Sequence, residues 1–169
     1  DHVSMDILGP FPITERKNTV ILMIIDHFTR WLEAIAIKDQ KAVTVADALF
    51  RYWICRHGVF TRLHSDNAQN FAGEVLKSLA RIMGYAHTFS PSHHPESNSL
   101  AERPNRDIVN AITALVNQKQ DNWDLILEPI LFAYRTSIHS SLGDTPFFAT
   151  YYRDARLPQD LLAGITGPA

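Results

Sequence analysis

Cysteine is almost absent from this chain. Cys55 stands alone, so no internal disulfide can form, and the fold must rest on its apolar interior, as suits a reducing compartment. Long apolar runs are missing too. The longest is Val20–Ile25, far short of the roughly 18–20 residues that a membrane-spanning helix needs. No leader-like stretch precedes the first strand, so the expected protein is soluble and intracellular, with no membrane partner. Nor is there an excess of positive charge: 16 Lys and Arg against 18 Asp and Glu leave a formal net charge of −2 and a pI near 6.5. That balance argues against nucleic-acid binding by bulk electrostatics, and any such contact must come from local patches, metal ions or flanking domains. The eight histidines include the pair His93-His94. No Cys pair and no His-x3-His spacing accompanies them, which argues against a zinc site.

What the chain does have is apolar material in clear patterns. At 46% hydrophobic residues it can build a core without staples, so one domain is expected over 1–152, with a Pro- and Gly-containing tail or linker over 153–169. Val3–Leu8 alternates like a strand. Thr19–Ile25 is nearly all apolar, as a central strand covered on both faces would be, and Trp31–Ile37 follows after the turn Asp26-His27-Phe28-Thr29-Arg30. These three predict an antiparallel meander. Thr44–Arg56 then carries Val45, Ala48, Leu49, Tyr52 and Trp53 at helical spacing and closes at Gly58; Cys55 within it is expected in core packing. Strand and helix alternate from there. Arg62–Ser65 is a fourth strand, Asn70–Met83 a helix with Phe71, Val75, Leu76, Leu79 and Ile82 inward, and Tyr85–Phe89 a fifth strand. A polar loop over Ser90–Asn98 leads to a helix over Ser99–Gln118 with the stripe Ile108, Ala111, Ile112, Leu115. Helices over Asn122–Thr136 and Thr145–Tyr152 complete an α/β domain with a five-stranded mixed sheet flanked by helices.

Three acidic residues invite a chemical reading. A crossover through Thr44–Arg56 makes the fourth strand parallel to the first, so Asp6 and Asp66 are expected at the same sheet edge, where open α/β sheets bind ligands. Glu102 opens the later helix, about a third of a turn from its core stripe, and can point to that edge. Three carboxylates suit Mg²⁺ or Mn²⁺, and two such ions about 4 Å apart can drive phosphodiester displacement. Each residue also has an ordinary role open to it. Asp6 could be the outward residue of an alternating strand, Asp66 before Asn67 an Asx-turn residue, and Glu102 the reciprocal partner in the capping box Ser99-Leu100-Ala101-Glu102. Asp26 competes with Asp6, but a hairpin between the first two strands places it at the opposite end of the sheet, in a turn.

These residues resemble the catalytic core of retroviral and Gypsy-type LTR-retrotransposon integrases over almost the whole chain. Ser4-Met5-Asp6-Ile7-Leu8-Gly9-Pro10 is similar to the first-strand motif, and Ile25-Asp26-His27-Phe28-Thr29-Arg30-Trp31 to the turn between the second and third strands. His64-Ser65-Asp66-Asn67 with Asn70-Phe71 resembles the second-aspartate motif; His94-Pro95-Glu96-Ser97-Asn98, Ala101-Glu102-Arg103 and Asn105-Arg106 resemble the glutamate motif. Tyr134-Arg135, His139-Ser140-Ser141 and Thr145-Pro146-Phe147 look like the downstream helices.

The resemblance implies a ribonuclease H-like fold with Asp6, Asp66 and Glu102 as catalytic metal ligands for Mg²⁺ or Mn²⁺, two ions during catalysis. It implies a polynucleotidyl transferase that trims element-end DNA and joins it to target DNA in the nucleus. His93, His94, Asn98, Arg103, Asn105 and Arg106 would face DNA, although Arg103 and Asp107 also suit an ordinary i, i+4 surface pair. A homodimer through Asn122–Thr136 and Thr44–Arg56, within a larger assembly, is implied as well. The second face of Asn122–Thr136 could instead be covered by the tail, through Leu157, Leu161 and Leu162. The chain departs from the family pattern at Ala68, Ser99 and Tyr152, where Gly is usual, and at Pro104 inside the glutamate helix. Two alternatives remain: a decayed, host-domesticated interaction module, or a ribonuclease H-type nuclease, which would call for a further carboxylate near the site.

Overall fold

Strands β1 (His2–Leu8), β2 (Val20–Asp26) and β3 (Leu32–Ile37) form an antiparallel meander. Strands β4 (Arg62–Ser65) and β5 (Ala86–Phe89) add in parallel on the other side of β1, giving the order β3-β2-β1-β4-β5. This computed structural model describes residues 2–66, 71, 73–89 and 99–162, with the backbone alone for 99–103. All five strand boundaries lie within about one residue of those the alternation predicts, which is the usual margin for element ends. The apolar run of β2 serves two cores. Leu22 and Ile24 join Val3, Met5 and Leu63 on one face, while Ile21, Met23 and Ile25 join Leu32 and Ala34 on the other. At the end of β1, Gly9 takes φ +124 and sits so close to the Thr19 carbonyl that a Cβ would lie 3.2 Å from it.

The first face is covered by two helical segments. Helix α1 (Ala42–Ala48) runs on as a π-helical stretch, Leu49–Ile54, and ends in the α-turn Cys55–His57. The wider π turn brings Leu49, Trp53 and Ile54 inward together and leaves Tyr52 partly exposed. Cys55 is exposed rather than packed in the core, because a 3.6-residue period does not anticipate the extra residue. Helix α2 (Glu74–Met83) buries Leu76 and Ala80, with Leu79 and Met83 against the same core. Val75 and Ile82, expected on the inner face, flank that stripe and are exposed. Phe71 is buried as expected, whereas the expected start at Asn70 lies outside the described residues.

Helices α3 (Ser99–Leu115) and α4 (Trp123–Thr136) cover the second face through Ile108, Ile112, Trp123, Leu127, Ile130 and Leu131. Helix α3 continues through Pro104 and stops at Leu115, earlier than Gln118, as the Asn117 N–H turns to the Asn122 side chain at 3.0 Å. Leu115 is therefore exposed, not part of the core stripe. Helix α5 (Pro146–Tyr151) is capped by Thr145, whose hydroxyl oxygen accepts from the Phe148 N–H at 3.0 Å, with Pro146 preset for the first turn. Tyr152 closes it in the left-handed conformation, φ 55, which explains why glycine suits this position. Helix α6 (Pro158–Leu162) lies in the expected tail; its Leu161 and Leu162 are exposed, as are Leu125 and Phe132 on α4, so these two leucines do not cover that face, while Leu157 is half-buried. Among the described residues no helix is long and apolar enough to cross a membrane.

At the outer edge of the sheet, Glu33 is buried in a charge network. Arg135 reaches from α4 to place Nη2 2.7 Å from Glu33 Oε2, donates to the Leu32 carbonyl, and lies over the Trp31 ring at 4.4 Å. The Trp31 indole N–H donates to Glu33 Oε1 at 3.0 Å, and His57 Nε2 stands 3.3 Å from the same oxygen. Burial alone would raise the Glu33 carboxyl. The His57 hydrogen bond, the Arg135 charge and the Trp31 donor outweigh it and hold the pKa below its ordinary value.

Candidate active site

The register between β1 and β4 assembles the site. Met5 pairs with Ser65, so Asp6 and Asp66 each follow by one residue and stand side by side on the face that also bears α3, with strands ~4.8 Å apart. Both are half-buried. They lie toward the C-terminal ends of neighbouring parallel strands, the edge where open α/β sheets bind ligands. Asp26 pairs instead with Val3, three residues down β1 from Asp6 and so ~10 Å away along the strand. Its Oδ2 accepts from the N–H and the hydroxyl of Thr29, both at 2.8 Å, as a turn residue does.

Asp6 is held from two directions. Its Oδ1 accepts from the Ile7 N–H at 2.8 Å, and its Oδ2 accepts from the Asn105 side-chain amide at 2.6 Å. Asn105 lies one turn beyond Glu102 on α3, so this bond ties the turn carrying Glu102 to the strand carrying Asp6. Sequence reasoning places Asn105 among the DNA-facing residues and gives no hint of this contact, which spans 99 positions. The side chains of Glu102 and Arg103 lie outside the described ones, as do His93, His94 and Asn98; Arg106 is exposed on α3. Among the described residues there is no cluster of three His, Cys, Asp or Glu that could hold a metal. Asp6 and Asp66 supply oxygen donors alone, which fits Mg²⁺ or Mn²⁺ and not a soft metal.

Two histidines flank the second aspartate. His64 shares the Asp66 face, two residues earlier, with Nδ1 3.2 Å from the Thr88 hydroxyl, which donates to the Leu63 carbonyl at 3.1 Å. Burial lowers the His64 pKa. Ser65 faces the opposite core and is almost fully buried. Its hydroxyl donates to the Asp66 carbonyl at 3.0 Å and lies 2.9 Å from His87 Nε2. Burial, and secondarily His64, push His87 down to about 4. The period-2 pattern marks His64 as a companion of Asp66, but nothing in the sequence pairs His87 with Ser65, because that contact depends on β5 lying beside β4.

Comparison with known proteins gives a consistent picture. The family model described as "Integrase core domain" matches residues 1–95. The chain is 24% identical over 159 residues to the retrovirus-related Pol polyprotein from transposon 412 of Drosophila melanogaster, covering 94% of this chain and 13% of that protein. It is 32% identical over 132 residues to the Gag-Pol polyprotein of Feline leukemia virus, covering 78% of this chain and 8% of that protein. The chain thus spans a small part of these relatives' length. A solved structure of the HTLV-2 integrase catalytic core domain in complex with magnesium, in a trimeric form, superposes with a TM-score of 0.71 at 14% identity, covering 89% of this chain and 95% of that one. The mixed five-stranded sheet with its flanking helices is a ribonuclease H-like fold.

Proposed function

Because the chain belongs to the integrase core domain family, we propose that it is the catalytic core of a polynucleotidyl transferase acting on DNA, with Asp6, Asp66 and Glu102 as its metal ligands. In this reading it trims the 3′ ends of element DNA with water and then joins the exposed 3′ hydroxyls to target DNA in the nucleus. The observation that carries the proposal is the β1–β4 register, which sets Asp6 beside Asp66, reinforced by the Asn105 bond that draws the start of α3 to Asp6.

Two bound Mg²⁺ or Mn²⁺ ions would activate the attacking oxygen and stabilise the leaving one; magnesium in the HTLV-2 core supports that choice. The chain's own residues supply the framework. Asp6 and Asp66 present hard oxygen donors from a sheet edge whose strands are locked by their ladder. Asn105 fixes the Asp6 carboxylate from the helix that carries Glu102. Arg103 and Arg106 would contact backbone phosphates beside that turn, with His93, His94, Asn98 and Asn105 lining the DNA, which positions the strand without reading its sequence. Leu125 and Phe132, exposed on one side of α4, suit a two-fold contact with a second copy inside a larger assembly.

The test is a disintegration or strand-transfer assay on labelled element-end DNA with Mn²⁺. Product is expected from the wild-type chain and none from Glu102→Gln. Equal product from both would discard the proposed triad.

A further inference from the structure

We propose that Ser65 and His87 are positioning residues for Asp66: a hydrogen-bonded relay on the opposite face of the sheet that holds the Asp66 peptide so that its carboxylate meets Asp6. The inference rests on Asp66 being a metal ligand, as argued above. Strand β4 ends at Ser65, so Asp66 is the first residue past the last rung of the ladder. A residue there needs another restraint if its side chain is to keep one direction. The Ser65 hydroxyl adds one by donating to the Asp66 carbonyl at 3.0 Å.

The single hydroxyl proton decides the rest. With that proton on the Asp66 carbonyl, Ser65 must accept from His87, so His87 carries its proton on Nε2, 2.9 Å away. His87 Nδ1 is then a bare acceptor, buried and without a partner among the described residues. The opposite tautomer would strand an N–H donor in the same place, a less favourable arrangement. Packing holds the ring in place: the His87 ring lies 4.4 Å from the Phe89 ring, and Phe89 is the rung partner of Ser65. Burial also keeps His87 neutral at working pH. The relay therefore has a fixed direction, from His87 to Ser65 to the Asp66 carbonyl. It sits one residue from the carboxylate without touching it.

Outer partners of this kind typically govern metal affinity by ~10- to 100-fold. The experiment is a Mn²⁺ titration of the chain without DNA, read by the melting-temperature rise and, independently, by water-proton relaxation, which reports bound Mn²⁺ directly. Ser65→Ala and His87→Phe are expected to move the Mn²⁺ midpoint ~10-fold upward. Ser65→Thr, which keeps the hydroxyl, and His87→Gln, which keeps a donor of similar reach, are expected to restore most of it. A purely structural role would lower the metal-free melting temperature and leave the midpoint where it was. A wild-type midpoint in Ser65→Ala and His87→Phe would overturn the relay while leaving the metal site intact. A wild-type chain that binds no Mn²⁺, or one matched by Asp66→Asn, would overturn the metal reading and the relay with it.

Discussion

Asp6 and Glu33 are both carboxylates on the central sheet, yet the surroundings put them to opposite uses. Glu33, at the outer edge, is buried and enclosed by Arg135, His57 and Trp31, with a depressed pKa. Asp6 is half-buried, stands next to another aspartate, and accepts from neutral amides on Ile7 and Asn105. A carboxylate enclosed by a protein cation and ring N–H groups stabilises the fold and has little capacity left for a ligand. Two carboxylates set side by side favour a shared cation. The difference separates the end of the molecule that maintains the fold from the end where the proposed chemistry would take place.

Exchanging the roles of these two ends would show the contrast to be wrong. The largest effect is expected from Asp66→Asn, which should reduce strand-transfer product ~10³-fold or more, since a bound metal contributes several kcal/mol to the transition state. Its melting temperature should stay level or rise slightly. A variant that loses activity and stability together would place Asp66 in the structural class. Arg135→Met should do the reverse: by leaving Glu33 buried without its cation it is expected to cost ~3–5 kcal/mol of unfolding free energy in urea. Much of that loss should return in the double variant Arg135→Met, Glu33→Leu. No recovery would mean that the Arg135 contacts with Leu32 and Trp31, not the charge pair, carry the stabilisation.

Acid titration should resolve the two ends by pH. His64 and His87 bind a proton less readily when folded, His87 at about 4 against an ordinary 6.5. Between those values the unfolded chain holds more protons, so stability falls as pH drops from 6.5 toward 4. Glu33 follows at lower pH. Its depressed pKa contributes stability that is present above 4.5 and disappears as pH falls through the folded value. Melts of His87→Gln should diminish the first phase, to which His64 still contributes, and keep the second. The smallest effect concerns α5, whose Phe147 and Tyr151 pack against Trp31 near Glu33. Tyr152 is exposed and held at φ 55, so Tyr152→Gly should raise stability by about 1 kcal/mol. A loss instead would reveal packing by Tyr152 that its exposure does not suggest.

The strands and the aspartate pair are legible in the sequence because alternation has a period of two and a crossover brings β4 parallel to β1. Both signals are local or topological. The Cys55 position is not legible, since the π turn through Leu49–Ile54 answers to packing of Trp53 and Ile54 together. Leu115 illustrates the same limit: its helical phase suits the core, but the chain turns at Asn117 before there is a neighbour to cover it. Asn105 on Asp6 and His87 on Ser65 are invisible for another reason. Each is a side-chain contact between elements far apart in the chain, and residue type alone does not specify the partner.

The pairing of Met5 with Ser65 also limits how this protein can change length. Side chains alternate faces along a strand, so one residue inserted or deleted inside β4 would turn Asp66 toward the core of α1 and α2 while Asp6 stayed behind. Two residues would restore the face but displace the carboxylate by ~6.6 Å, beyond the reach of a shared ion. On the proposed metal reading, length variation within these strands is excluded by parity and distance together. It can be absorbed in the connections, such as the exposed stretch at Gly58 and Val59 ahead of β4, where an added residue leaves the count between rung and aspartate untouched.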